Sequence, residues 1–200
     1  MFLDKLCKTN PNLIQTAVHM HQQKQIMPDT YVVDVDQFIA NAKAILQKAN
    51  EQNIELYYML KQIGRNPYLA MELEKIGYKG AVVVDFKEAE VMMKNHLHIA
   101  HAGHLVQIPS MMINKLVKYG CDYITVYSYE KLVEVNEAAK KEGISQKICV
   151  RVIGENDRIY SGQTAGFYLD QLEELVQKAK NLTHIKIAGV DNFPCFLYDE

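Results

Sequence analysis

Cysteine is scarce and scattered. Four occur in 200 residues, Cys7, Cys121, Cys149 and Cys195, with no CxxC among them. That favours reduced thiols in a cytoplasmic protein, packed as small hydrophobes, over a disulfide framework or a zinc ribbon. Neither charge dominates: 22 Lys and Arg face 24 Asp and Glu, for a net charge of −2. No basic field invites nucleic acid, and no nucleic-acid partner is expected. No apolar run approaches the roughly 18 to 20 residues of a membrane span. The opening MFLDKLCKTNPNLIQ lacks the long apolar core of a secretory signal. Low-complexity tracts and long linkers are missing too. No G-x-G-x-x-G opens a helix and no G-x-x-x-x-G-K-[ST] occurs, so both usual phosphate loops of open α/β sheets are absent. What is present is average for a globular chain: 48% hydrophobic and 23% charged residues, enough to bury a sizeable core.

The pattern along the chain is a repeated strand and helix. Residues 1–29 read as a helix and connector, with Leu13, Ala17 and Met20 at helical spacing and Pro28 ending the stretch. TYVVDVDQF, β-branched and alternating, predicts a strand, and the segment from Asn41 predicts an amphipathic helix; together they form a linking unit, 30–53. From residue 54 six strand–helix steps follow. The predicted strands are IELYYMLK (54–61), GAVVVDF (80–86), HIAHAGHLVQI (98–108), YITVYS (123–128), KICVRVI (147–153) and HIKIAGVDNF (184–193). Alternation at roughly 25-residue spacing implies right-handed βαβ units and a parallel sheet. Two architectures fit: an open doubly wound sheet, or a (β/α) barrel lacking two of its eight steps. A closed barrel typically needs about 250 residues.

Ligands meet parallel α/β folds at the C-terminal ends of the strands. Lys61 ends the apolar strand YYMLK. Desolvation there lowers an amine's pKa and suits it as a nucleophile; alternatively the side chain snorkels into water. Arg65, four residues on, aims a guanidinium at an anion or sits on the surface at a helix entry. Among His96, His98, His101 and His104, strand alternation puts His98 and His104 on one face and His101 on the other. His96 and His98 have the H-x-H form of metal-dependent barrel hydrolases. Such sites need further ligands at later strand ends, and His184 starts its strand, so no metal is expected. His104, near its strand's C-terminal end, is the stronger functional candidate. Arg151, within a strand, points either way. Arg158 lies beyond it in a polar loop that Gly162 and Gly166 allow to turn sharply. Asn192 and Phe193 end the last strand.

In order and spacing these segments resemble the alanine-racemase-type, fold-type III pyridoxal-phosphate enzymes. TYVVDVDQFIANAKAIL, with Asp34, Asp36 and Asn41, is similar to that family's opening. Lys61 occupies the place of its cofactor lysine. HIAHAGHLVQIP resembles the G-H-L-Q segment of barrel-only pyridoxal-phosphate homeostasis proteins, and RVIGENDRIYSG the family's fifth barrel strand and arginine-bearing loop. LKQIGRNP and FPCFLYDE look most like the YhfX-like subgroup of racemases. The resemblance implies a parallel TIM-type barrel, incomplete over 54–200, with about six barrel strands plus one N-terminal strand. It implies pyridoxal 5'-phosphate as cofactor, Lys61 as its Schiff-base lysine and one acid/base, and Arg158 on the ring's phenolic oxygen. Arg65, His104 and Asn192 complete the expected cofactor-binding set. Arg65 replaces a family tyrosine, and Asn192 or Phe193 stands where alanine racemase stacks a histidine. An amino acid is the implied substrate and racemisation the implied reaction. The alternatives are a decarboxylase of the same fold and a non-catalytic carrier of the cofactor. The phosphate loops and second base would lie in further barrel strands and in a C-terminal domain that makes a homodimer. The 200 residues are thus expected to be the first part of a longer chain, inactive and poorly soluble alone.

Overall fold

Short polar caps start most helices, and the structure, a computed structural model, describes residues 2–161, 163 and 165–194. It divides into Met1–Ile54 and Glu55–Glu200. In the first unit α1 (Phe2–Thr9) precedes α2 (Pro11–Gln22), where Pro11 takes the first turn and Asn10 accepts the Leu13 N–H at 3.1 Å. The predicted strand over TYVVDVDQF is not formed. Residues 31–34 are irregular, and α3 (Val35–Glu51) begins six residues before Asn41. The cause is Asp34, whose Oδ1 caps α3 by accepting the Gln37 N–H at 3.0 Å while Oδ2 accepts from Asn10 Nδ2 at 2.7 Å. These bonds hold its carboxyl below the usual range. β-Branched alternation makes a strand only where a ladder partner exists, and residues 31–34 have none among the described residues.

The second unit holds one parallel sheet, its strands neighbouring in chain order. They are β1 (Ala81–Val83), β2 (Ile99–Ala102), β3 (Tyr123–Val126), β4 (Gln146–Arg151) and β5 (Ile185–Asp191). Helices α4 (Pro67–Ile76), α5 (Phe86–Lys94), α6 (Ser110–Tyr119), α7 (Tyr129–Glu142) and α8 (Leu172–Ala179) alternate with them. Asn66, Asp85 and Ser128 cap three of these helices through their side chains. The predicted strand 54–61 shrinks to a single bridge. Tyr58 N donates to Gly80 O and Val82 N to Tyr58 O, at 3.0 and 2.7 Å, beside β1. Lys61–Ile63 is already a 3₁₀ turn. Five strands plus this segment account for the six expected steps.

Pairing register sorts the sheet into two faces. Ala102, Ile124 and Ile148 align across β2–β4, with Val126 beside Val150, and all five are buried. Right-handed crossovers put the helices on this side; α5 packs on β1 and β2, and α7 on β3, β4 and β5. On the other face His101 aligns with Tyr123 and Lys147, Thr125 with Cys149, and Arg151 with Asp191. Cys7, Cys121 and Cys149 are free thiols, and burial pushes Cys121 up to about 12. Among the described residues no helix is long and apolar enough to cross a membrane. Gly162 and Cys195–Glu200, singled out from the sequence, lie outside the described residues.

Candidate active site

The turn that carries Lys61 is pinned from below. Leu60, just before it, is buried, and its N–H donates to Glu88 Oε1 at 3.1 Å. Glu88 Oε2 accepts from Val84 N at 2.8 Å, so one buried carboxylate joins the Lys61 turn to the end of β1. Burial pushes the Glu88 carboxyl up, against the pull of these two N–H groups. Lys61 itself is exposed. Arg65 adopts a left-handed φ of +55° and donates its N–H to Leu60 O at 2.9 Å. Its Nη2 sits 2.7 Å from Asp85 Oδ2, and Asp85 Oδ1 accepts the Glu88 N–H at the start of α5. The guanidinium is therefore committed to an internal ion pair rather than presented free to an anion, although its buried Nε has no partner among the described residues.

At the same edge, the C-terminal one, polar side chains gather beyond β2–β5. His104 is not on the face that alternation assigns it. β2 ends at Ala102, and Gly103 takes φ +88°, where a Cβ would stand 2.7 Å from Thr125 O. That turn breaks the parity and brings the His104 ring within 5.7 Å of the His101 ring. Tyr127 secures the turn, its hydroxyl donating to Gly103 O and His104 O at 2.8 Å each. Burial pushes the Tyr127 hydroxyl up to about 12. His104 Nδ1 lies 2.9 and 3.1 Å from the two Asp191 oxygens. Thr125 Oγ1 lies 3.1 Å from Asp191 Oδ2 and 2.6 Å from His101 Nε2. Burial opposes ionisation of Asp191, but the His104 bond and charge, the His101 charge and the Thr125 hydroxyl together hold its carboxyl below the usual range. Burial drives His101 down to about 4, against the attraction of Asp191 and helped by repulsion from His104.

Arg151 points into this face, 2% exposed, with its Cζ 5.9 Å from the Tyr127 ring centre. Its Nη2 donates to Phe193 O, while Nε and Nη1 are buried without partners among the described residues. Gly166 lets the following loop close on it: a Cβ there would lie 3.1 Å from Arg151 Cγ. Phe193 packs edge-on to His104 at 5.4 Å and against Tyr160 at 6.2 Å. Asn192 Nδ2 donates to Val152 O at 3.1 Å and Asp157 Oδ2 at 2.9 Å, so its amide fastens the β4 loop. Arg158 lies exposed in that loop. The structure thus joins His104 to His101, Thr125 and Asp191, with Arg151 reaching it only by way of Phe193; the sequence alone left these partners open. The available signal was a polar residue near the C-terminal end of each apolar strand. His98 belongs to the opposite edge, paired with Asp122 at 2.7 Å.

Residues 33–199 match the family described as alanine racemase, N-terminal domain. The chain belongs to that family. Over all 200 residues it is 46% identical to the uncharacterized protein YhfX of Escherichia coli (strain K12) and covers 52% of it. The chain therefore spans about half the length of this curated relative. Its fold is similar to D-threonine aldolase from Filomicrobium marinum, at 18% identity and a TM-score of 0.67, over 82% of this chain and 44% of that one. Diaminopimelate decarboxylase from Helicobacter pylori complexed with L-lysine is 19% identical, with a TM-score of 0.67 over 87% and 46%. Alanine racemase from Clostridium difficile 630 in complex with cycloserine is 21% identical, with a TM-score of 0.57 over 80% and 42%. For this member of the alanine racemase N-terminal domain family the likeness fixes the architecture: the five-stranded parallel sheet is part of a TIM-type barrel, and its polar face is the barrel's inside.

Proposed function

We propose that this chain is the cofactor-bearing barrel portion of a pyridoxal 5'-phosphate-dependent enzyme acting at the Cα of an amino acid, a racemase. The observation that carries the reading is the exposed Lys61 amine at the same strand edge as a buried, donor-rich polar face. The residues fit the cofactor. An anionic pyridine aldehyde needs an accessible amine and N–H donors, and the two buried Arg151 nitrogens are donors whose bonds no described residue takes up. When bound, the cofactor withdraws electrons from the substrate's Cα. Lys61 holds it covalently and is one acid/base group; Arg158, above the mouth, supplies a cationic donor. Arg65 and Asn192 act through their partners, Asp85 steadying the Lys61 turn and Asp157 the β4 loop. His104 faces the cofactor from β2. The full-length protein is a cytoplasmic homodimer whose further segments complete the barrel and supply the phosphate loops.

The test is Cα exchange. Full-length protein with pyridoxal phosphate is incubated with single amino acids in D2O, and the Cα proton is followed by NMR. One amino acid is expected to lose its Cα proton and invert, and Lys61→Ala is expected to abolish both. Release of CO2 instead would replace racemisation by decarboxylation. No exchange with any amino acid would leave a cofactor carrier.

A further inference from the structure

Counting donors fixes the protons in the polar network. Asp191 is a carboxylate and only accepts. His104 Nδ1, at 2.9 Å, is therefore the donor of their bond. Thr125 spends its single proton on Asp191 Oδ2. At 2.6 Å from that hydroxyl oxygen, His101 Nε2 must then donate as well. The order is His101 N–H to Thr125, Thr125 O–H to Asp191, and His104 Nδ1–H to Asp191. In its neutral form the His104 ring keeps its lone pair on Nε2, which bonds no described residue, and the side chain is 21% exposed. A carboxylate behind an imidazole fixes the tautomer and stabilises the imidazolium formed when the far nitrogen takes a proton.

We propose that His104 is a second proton-transfer group of this site, beside Lys61, and that Asp191 orients it, with Thr125 and His101 as positioning residues behind. The role rests on the Cα reading above. The substrate's Cα–H bond breaks and an Nε2–H bond forms. The C–H electron pair stays with the substrate, and the new positive charge faces the Asp191 carboxylate. For inversion Cα takes its new proton from Lys61 on its other face, and exchange with water returns both groups to their starting protonation. His101 stays neutral throughout, so the two adjacent rings never repel as like charges.

Two measurements on full-length protein test this. In protein labelled with ¹⁵N-histidine and free of amino acid, long-range ¹H–¹⁵N spectra at pH 8 are expected to show His104 as the Nδ1–H tautomer and His101 as the Nε2–H tautomer. Asp191→Asn is expected to release the His104 preference. His104→Gln is expected to melt as the parent does and, at saturating pyridoxal phosphate, to lose kcat for Cα exchange at least 100-fold with KM for the amino acid little changed. An Nε2–H tautomer at His104 in the parent protein overturns the proposal, as does exchange within threefold of the parent in His104→Gln. If the variant fails to fold, the tautomer result decides. A parent protein with no exchange at all overturns the Cα reading itself, which separates the two failures.

Discussion

The two faces of one five-stranded sheet have opposite chemistry. On the helix side Ala102, Ile124, Val126, Ile148 and Val150 are all buried and apolar. On the other side the same strands present His101, Thr125, Cys149, Arg151 and Asp191. Parity along a strand is the only thing separating Val150 from Arg151. The difference teaches that stability and chemistry are assigned to alternate residues, so each can change without the other. The polar face has a cost, because buried polar groups must find partners. Most do, through His101, Thr125, Asp191 and His104. The exceptions on this face among the described residues are Arg151 Nε and Nη1, the two donors on which the proposed cofactor fit rests.

The comparison breaks most clearly on the apolar side. Ile148 is fully buried between Ile124 and Ile187. Ile148→Ala should cost about 3 to 4 kcal/mol in denaturant unfolding of the full-length protein, while leaving the histidine tautomers unchanged. Its neighbour Cys149→Ala, on the polar side, should cost about 1 kcal/mol. Equal losses at the two positions would remove the division of labour.

The next effect belongs to the polar side and depends on pH. Folded His101 takes a proton only near pH 4, against an ordinary histidine value of 6.5. Between these values the unfolded chain binds more protons, so stability rises with pH across that window and is fully present above it. The gain should be about 3 kcal/mol, and His101→Gln should flatten it. Asp191, held low, adds a loss only at still more acid pH. Unfolding free energies at pH 4.5 and 7.5 decide the matter. No difference, or the opposite slope, would mean His101 is not buried neutral.

Much of the fold was legible because capping and apolar periodicity agree locally. Asn66, Asp85 and Ser128 start helices where the pattern expects them. Residues 31–34 misled because β-branched alternation states a preference, not a partner, and the Asp34 cap decided for helix. The site was half legible. Lys61 and His104 stand out by position at strand ends. The company of His104 does not, because strand alternation holds only to Ala102 and the φ of +88° at Gly103 is invisible in a one-letter string. Asp191 lies 87 residues from His104, beyond local reading. Arg151 in KICVRVI was visible as a charge in an apolar strand, but its direction required the β4–β5 register.

The central claim is that the Lys61 turn delivers the cofactor-bearing amine to the polar face. The most direct measurement is reduction of full-length protein with borohydride in the presence of pyridoxal phosphate, followed by peptide mapping. The account predicts one labelled lysine, Lys61, within the segment LKQIGR, with loss of the visible absorbance band. Label on any other lysine, or no label at all, would contradict it.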